Sequence, residues 1–390
     1  MKKRSKLSIK LICVALSVIL TLPMVSCGKD LFDGVSSTEE ELRVIGTVNG
    51  YDVHYDEIYY LIMSCKDMMK TKYGEDIWDN EATAAEYNDE LREMVFERIT
   101  ANYAVLTLCE EYGYKNALQK SDVVNYVNEE IENAICMFAL QNDIKVEIGE
   151  SLTGKLTYTY ENGGFEKAYE IFKEALSLTY LNERVMRLTL GTEFAFGALT
   201  DILTGKTEEI IYKEADIEAF MFSDKFICTR HLLIQNDKGE DVEANRALAE
   251  EAYQKYLNGE SMDKLMGSKY NEDVTMSPSI GYYFTYGEMD EAYEKAAFAL
   301  EVGEVSGIVE TEDGFFIIER REKSSTYMLG NFEALAQQIT YALVNQKVTD
   351  RQNELSLEMN DFGKSLDFVK IAVDGEKMIE ALLAEAEESK

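Results

Sequence analysis

The chain has 390 residues, 46% of them hydrophobic and 29% charged, enough apolar matter for a sizeable core shared among two or three domains. With 73 acidic against 39 basic residues it carries a formal net charge of −34, which repels phosphate backbones and argues against nucleic acid as a partner. Only two prolines occur, Pro23 and Pro278, so long helices can run with few breaks.

Lys2, Lys3, Arg4, Lys6 and Lys10 form a basic start, Leu11 to Leu22 an apolar run, and Met24-Val25-Ser26-Cys27 follows directly. This order resembles a bacterial lipoprotein signal, in which a small residue precedes the cysteine that is acylated. The expectation is cleavage between Ser26 and Cys27, a lipid-anchored Cys27, and a globular part outside the cytoplasmic membrane. Residues 27–41, rich in Gly, Ser and acids, read as a tether.

Val44 to Val48 and Tyr51 to Val53 flank Asn49-Gly50, a pair that predicts a tight β-hairpin. Tyr55-Asp56-Glu57 starts a helix in which Ile58, Leu61, Ile62, Cys65 and Met68 recur at helical spacing, ending near Lys72. Further helices are predicted over Ala82–Tyr112, Ser121–Gln141, Phe165–Leu190 and Glu214–Phe220, with Ser121-Asp122 read as a capped start. The Tyr- and Thr-rich stretch from Lys145 to Gly164 carries no clear period.

From Cys228 the order changes to strand, helix, loop, helix, strand. Arg230 to Ile234 is a short apolar run, Val242–Asn258 is helical and ends at Gly259, Met289–Leu300 is a second helix, and Gly314 to Ile318 is a final strand. Asn331–Met359 returns to a helical period. The fold class expected is therefore α+β: a compact α+β module inserted in a mostly α-helical body.

Six cysteines occur without a CxxC pair, and Cys228 and His231 have no second pair to complete a metal site. Cys65, Cys109 and Cys136 fall in apolar helical stretches, which suits buried free thiols better than a disulfide framework.

Several ordered signals in the module resemble the parvulin rotamases. Thr229-Arg230-His231-Leu232-Leu233-Ile234 looks like their opening strand, Lys269-Tyr270-Asn271-Glu272-Asp273 like their tyrosine-serine-x-aspartate segment with Asn271 for serine, and Ile280-Gly281 like the end of their glycine-rich turn. Gly287 to Ser306 is similar to the family's helix and following turn nearly throughout. Outside the module, Val48-Asn49-Gly50 and the layout of helices resemble the PrsA-like foldase lipoproteins and the SurA chaperones.

The resemblance implies a parvulin-like domain over residues 223–323, an N-terminal helical chaperone region over 42–222 and a C-terminal helical segment over 324–390. It implies a peptidyl-prolyl cis-trans isomerase that needs no nucleophile, metal or cofactor. It also implies that the partners are unfolded or partly folded exported polypeptides. His231 and Asp273 would be the polar pair under the pocket; Met289 and Tyr293 would build the proline cup, with Ile280 at its edge and Thr311 before the last strand.

Two departures stand out. Phe316 occupies the place of the family's second histidine, and Ser277-Pro278-Ser279 replaces its glycine-glycine-aspartate turn, stiffening the loop. The loop Asn236–Asp241 is net acidic, which argues against phosphoserine-proline recognition. A non-catalytic holdase is the alternative to an isomerase, whereas a solute-binding lipoprotein would need a doubly wound body that these helices do not support. Whether two helical bodies pair as a homodimer stays open.

Overall fold

Asn49 (φ 48°) and Gly50 (φ 83°) both adopt left-handed backbone conformations in the computed structural model, as a two-residue type I′ turn requires. They fold Val44–Val48 (β1) and Tyr51–His54 (β2) into the expected antiparallel hairpin. The structure describes residues 31–151, 154–204, 213–236, 242–275 and 277–388. The signal segment and Cys27 lie outside the described residues, as do positions 237–241 of the acidic loop. The described chain forms two compact units, one ending at 201 and resuming at 348, the other spanning 202–347.

In the first unit, the helix Tyr55–Tyr73 buries Ile58, Leu61, Ile62, Cys65 and Met69. Met68, expected in that stripe, is exposed, because Met69 lies four residues after Cys65 and takes the inward position. Short turns over 75–87 precede the helix Asn88–Glu111. The helix Ser121–Gln141 matches its expected span. No side chain caps its start; Asp122 Oδ1 instead accepts from the backbone N–H of Val123.

The unassigned stretch is a hairpin, Val146–Glu150 (β3) with Leu156–Tyr160 (β4). The single helix expected over Phe165–Leu190 is two, Gly164–Ser177 and Glu183–Leu203. Tyr180 turns left-handed between them (φ 62°), and the Asn182 side chain accepts from the N–H of Val185 at 2.8 Å, restarting the helix. Val127, Ile131, Ile135, Ala168, Phe172 and Leu176 pack across these helices as one core.

The second unit opens with the helix Glu214–Met221. Its sheet comprises Ile227–Gln235 (β5), Tyr282–Phe284 (β6), Val305–Thr311 (β7) and Gly314–Arg321 (β8), in the order β6-β5-β8-β7 with every pair antiparallel. β5 is buried from Ile227 through Ile234, so both faces must be covered. The helices Val242–Leu257 and Met262–Met266 cover one face, packing Ala252, Met262, Leu265 and Met266 on Leu232 and Ile317. The helix Glu291–Ala299 covers the other, packing Tyr293 and Ala297 on Leu233, Phe316 and Ile318.

The helices Ser325–Gly330 and Phe332–Gln352 follow, and Met328, Leu335 and Ile339 pack with Met221, Phe226, Cys228 and Tyr283. The helical period expected through Met359 stops at Gln352. Glu358–Met359 is instead a short strand (β9) paired with Gly46 and Thr47 of β1. The helix Phe368–Glu388 then buries Phe368, Val369, Ala372 and Val373 in the first unit. Cys65, Cys109, Cys136 and Cys228 are buried free thiols.

Candidate active site

The pleat of β5 decides which side chains meet. Thr229, His231 and Leu233 share the face under the helix Glu291–Ala299, while Arg230, Leu232 and Ile234 point to the opposite one. Pairing of Leu233 with Phe316 and of His231 with Ile318 puts Phe316 beside the imidazole, with perpendicular rings 4.9 Å apart.

Asp290 caps the helix Glu291–Ala299, its carboxylate accepting from the N–H groups of Ala292 and Tyr293. Glu294 Oε1 accepts from the N–H of Met289 at 2.9 Å and of Glu288 at 2.8 Å. These bonds fix the entry of the helix, so that Met289 and Tyr293 both pack in the apolar cluster of Phe316. The Tyr293 and Phe316 rings stand 5.1 Å apart.

Asp273 arrives from the other side of β5. Asn271 Oδ1 accepts from the Leu233 N–H at 3.1 Å, and the Glu272 N–H donates to the Leu233 carbonyl at 2.8 Å. The segment is thereby docked along the edge that β6 leaves free beyond Thr229. His231 Nε2 lies 3.1 Å from Asp273 Oδ2.

Asp273 also accepts from the Thr275 hydroxyl at 2.7 Å, the Thr275 N–H at 2.8 Å and the Tyr282 hydroxyl at 3.0 Å. Burial works against its charge, but these hydrogen bonds hold the carboxyl below its ordinary value. Burial pushes His231 down to about 4, outweighing the attraction of Asp273, so the ring is neutral at physiological pH.

Five residues singled out in the sequence, His231, Asp273, Met289, Tyr293 and Phe316, meet here. Ile280 stands 40% exposed outside the apolar cluster. The Thr311 hydroxyl serves the β7–β8 turn, accepting from the Asp313 N–H and donating to the Gly314 carbonyl. An open cleft lined by Arg230, Asp263, Pro278, Ser279, Glu319 and Arg321 holds none of the residues around His231.

Sequence reasoning missed Thr229, Thr275 and Tyr282. The Tyr282 ring stacks on His231 at 5.6 Å and 18°. The pairing of Thr229 with Tyr282 across β5 and β6 positions it, and the only signal available was its place directly after Ile280-Gly281.

Residues 231–322 match the family model of the rotamase, PPIC-type PPIase domain. The foldase protein PrsA of Bacillus subtilis is 30% identical over 155 residues, which cover 38% of this chain and 48% of that protein. The foldase protein PrsA 1 of Listeria monocytogenes is 24% identical across 66% of this chain and 86% of its own length. The foldase protein PrsA of Clostridium perfringens is 20% identical across 94% of this chain and 96% of its own length. The chain thus spans about half of the first relative and nearly all of the last. Neutral His231 over Asp273, Met289 and Tyr293 at the helix entry lie within the residues 231–322 that match the rotamase, PPIC-type PPIase domain, and the chain around them is similar to the PrsA foldases.

Proposed function

We propose that the chain is an extracytoplasmic folding factor whose domain at 231–322 speeds cis-trans isomerisation of X-Pro bonds in exported polypeptides. One observation carries the reading: a neutral, fully engaged imidazole lies against an apolar cluster of Met289, Tyr293 and Phe316. An X-Pro amide rotates over a barrier on the order of 20 kcal/mol and relaxes in roughly tens of seconds, slow enough to limit folding. A catalyst need only bind the twisted amide better than the planar one.

Met289, Tyr293 and Phe316 would seat the proline ring and strip water from the carbonyl, which disfavours the charge-separated planar amide and lowers the barrier. Ile280 would edge the cup, and Thr311 would stand before its last strand. Both nitrogens of His231 bond within the protein, so it would shape and polarise the floor rather than pass a proton to substrate. A protease-coupled proline-peptide assay tests this. Catalysis lost in Met289→Ala and Asp273→Ala supports it, and no rate above background in the wild-type chain sinks it.

Phe316 favours a second reading, a holdase that binds unfolded chains without isomerising them. Suppressed aggregation of an unfolded client without an isomerase rate would establish it. We further propose that the basic start, the apolar run and Cys27 direct lipid anchoring to the outer face of the membrane. No helix among the described residues is long and apolar enough to cross one. Mass spectrometry should find Cys27 diacylated in the membrane fraction, and Cys27→Ala should release the chain.

A further inference from the structure

Strand β8 offers His231 no hydrogen bond, because the side chain beside it is the hydrocarbon ring of Phe316. The bond comes from the facing helix. Tyr293 holds its hydroxyl 2.9 Å from His231 Nδ1 and 2.9 Å from Thr229 Oγ1, and it is 3% exposed.

The direction of these bonds follows from the groups themselves. Asp273 is ionised and can only accept, so the single proton of the neutral imidazole sits on Nε2 and is donated to Asp273 Oδ2. Nδ1 is then an acceptor and needs a donor. Burial pushes the Tyr293 phenol above its ordinary range, so it keeps its proton and donates it to Nδ1. Its oxygen in turn accepts from Thr229. The chain runs one way, from Thr229 through Tyr293 and His231 to Asp273.

We propose that Tyr293 is the positioning residue of this site: its hydroxyl holds the Nδ1 side of His231 as Asp273 holds the Nε2 side, and the ring keeps one tautomer and one plane only while both are in place, in the role that Phe316 leaves empty on β8. This rests on the isomerase reading for its consequence but not for its geometry. Removing the hydroxyl strands a buried acceptor and frees the imidazole to rotate or to exchange its proton between nitrogens. A histidine at 316, where the Phe316 ring stands 4.9 Å from the imidazole, would carry a ring N–H donor into that space once the Tyr293 hydroxyl is gone.

The test uses the full chain labelled with 15N-histidine. In the wild type His231 should show a single Nε2–H tautomer with no titration above about pH 5. In Tyr293→Phe the two nitrogen shifts should move toward averaging, and kcat/KM for a proline peptide should fall by about tenfold. Thr229→Val should act in the same direction more weakly. Tyr293→Phe combined with Phe316→His should recover both the tautomer and most of the rate, which a merely structural role for the ring would not produce. Unchanged nitrogen shifts and rate in Tyr293→Phe overturn the proposal, as does a double variant that stays as poor as the single one. If the wild type shows the locked tautomer, Tyr293→Phe unlocks it and no isomerase rate is found at all, positioning stands and the catalytic reading fails.

Discussion

His231 Nε2 and the hydroxyl of Tyr282, whose ring stacks on the imidazole, converge on one oxygen, Oδ2 of Asp273. Two donors on one partly buried carboxylate oxygen hold the Nε2 side of His231, opposite the Tyr293 hydroxyl on Nδ1, and the burial of the ring couples its protonation to stability.

The sign of that coupling is set by burial. The folded pKa of His231, about 4, lies below the ordinary 6.5, so the native state resists a proton that the unfolded chain accepts. Its contribution is complete above pH 6.5 and is lost as pH falls through 4. Over that window it amounts to about 3 kcal/mol. Asp273 is also depressed, so its contribution is lost as pH falls further, below the ordinary carboxylate value. Chemical denaturation of the full chain at pH 7 and pH 4.5 should show the 202–347 unit losing stability in wild type and losing much less in His231→Gln. Equal losses in both would refute the assignment.

Gly281 is needed by the backbone at the start of β6. Its φ is +79°, and an added Cβ would lie 2.4 Å from the Thr229 carbonyl oxygen and 3.1 Å from Cys228 Sγ. Gly281→Ala must either open the pairing of Thr229 with Tyr282 or shift the turn. Both move Tyr282 away from Asp273. Left-handed strain alone costs about 1 kcal/mol or more. The expected result is a lower melting temperature together with a broken Tyr282 bond, read as a changed Asp273 titration, whereas Gly287→Ala, with open space around its Cβ position, should leave that titration unchanged.

What the sequence made legible followed local rules. Asn49-Gly50 announced a hairpin, the spacing from Val123 to Ile135 announced a helix, and the order of motifs from His231 to Phe316 announced the rotamase sheet. What it hid depends on partners remote in sequence. Tyr282 reaches Asp273 only through the β5–β6 register, and the β3–β4 hairpin alternates weakly because most of its residues are exposed on both faces. The break at Tyr180 lies in a run whose apolar spacing continues across it. Met359 continued a helical period yet pairs with Gly46, a contact no local pattern encodes.

Arg184 is the centre of a buried charge cluster in the first unit. Its guanidinium donates to Asp56 Oδ2 at 2.7 Å, to Asp56 Oδ1 at 2.5 Å and to Glu57 Oε1 at 2.7 Å. Asn182 Nδ2 adds a bond to Asp56, and the Tyr103 hydroxyl one to Glu57. Asp56, Glu57 and Arg184 are all buried. Arg184→Met leaves two buried carboxylates without their cation, which costs about 3–5 kcal/mol. Thermal unfolding should show an early transition of the first unit, while the rotamase-domain resonances of His231 stay folded to their wild-type temperature.

The last contact joins residues 310 positions apart. Lys66 is fully buried, and its ammonium bonds Glu376, on the helix Phe368–Glu388, and the Tyr180 hydroxyl at 3.1 Å. Lys70 bonds the second oxygen of Glu376 at 2.7 Å. Burial alone would lower the Lys66 pKa, yet the hydrogen bonds it donates to the Asp67 and Glu376 carboxylates raise it above its ordinary value. The cation therefore persists in the core only while its carboxylates do. Glu376→Gln keeps the shape and removes one charge; with Asp67 still 2.8 Å away, the expected loss is on the order of 2 kcal/mol. Lys66→Met with Glu376→Leu removes both charges and should recover most of it, since a buried pair exchanged for apolar groups of similar volume is often neutral. Denaturant titration of the two variants decides the matter: a double variant weaker than Glu376→Gln would mean that the ion pair itself, rather than the avoidance of an unpaired charge, holds the C-terminal helix against Tyr55–Tyr73.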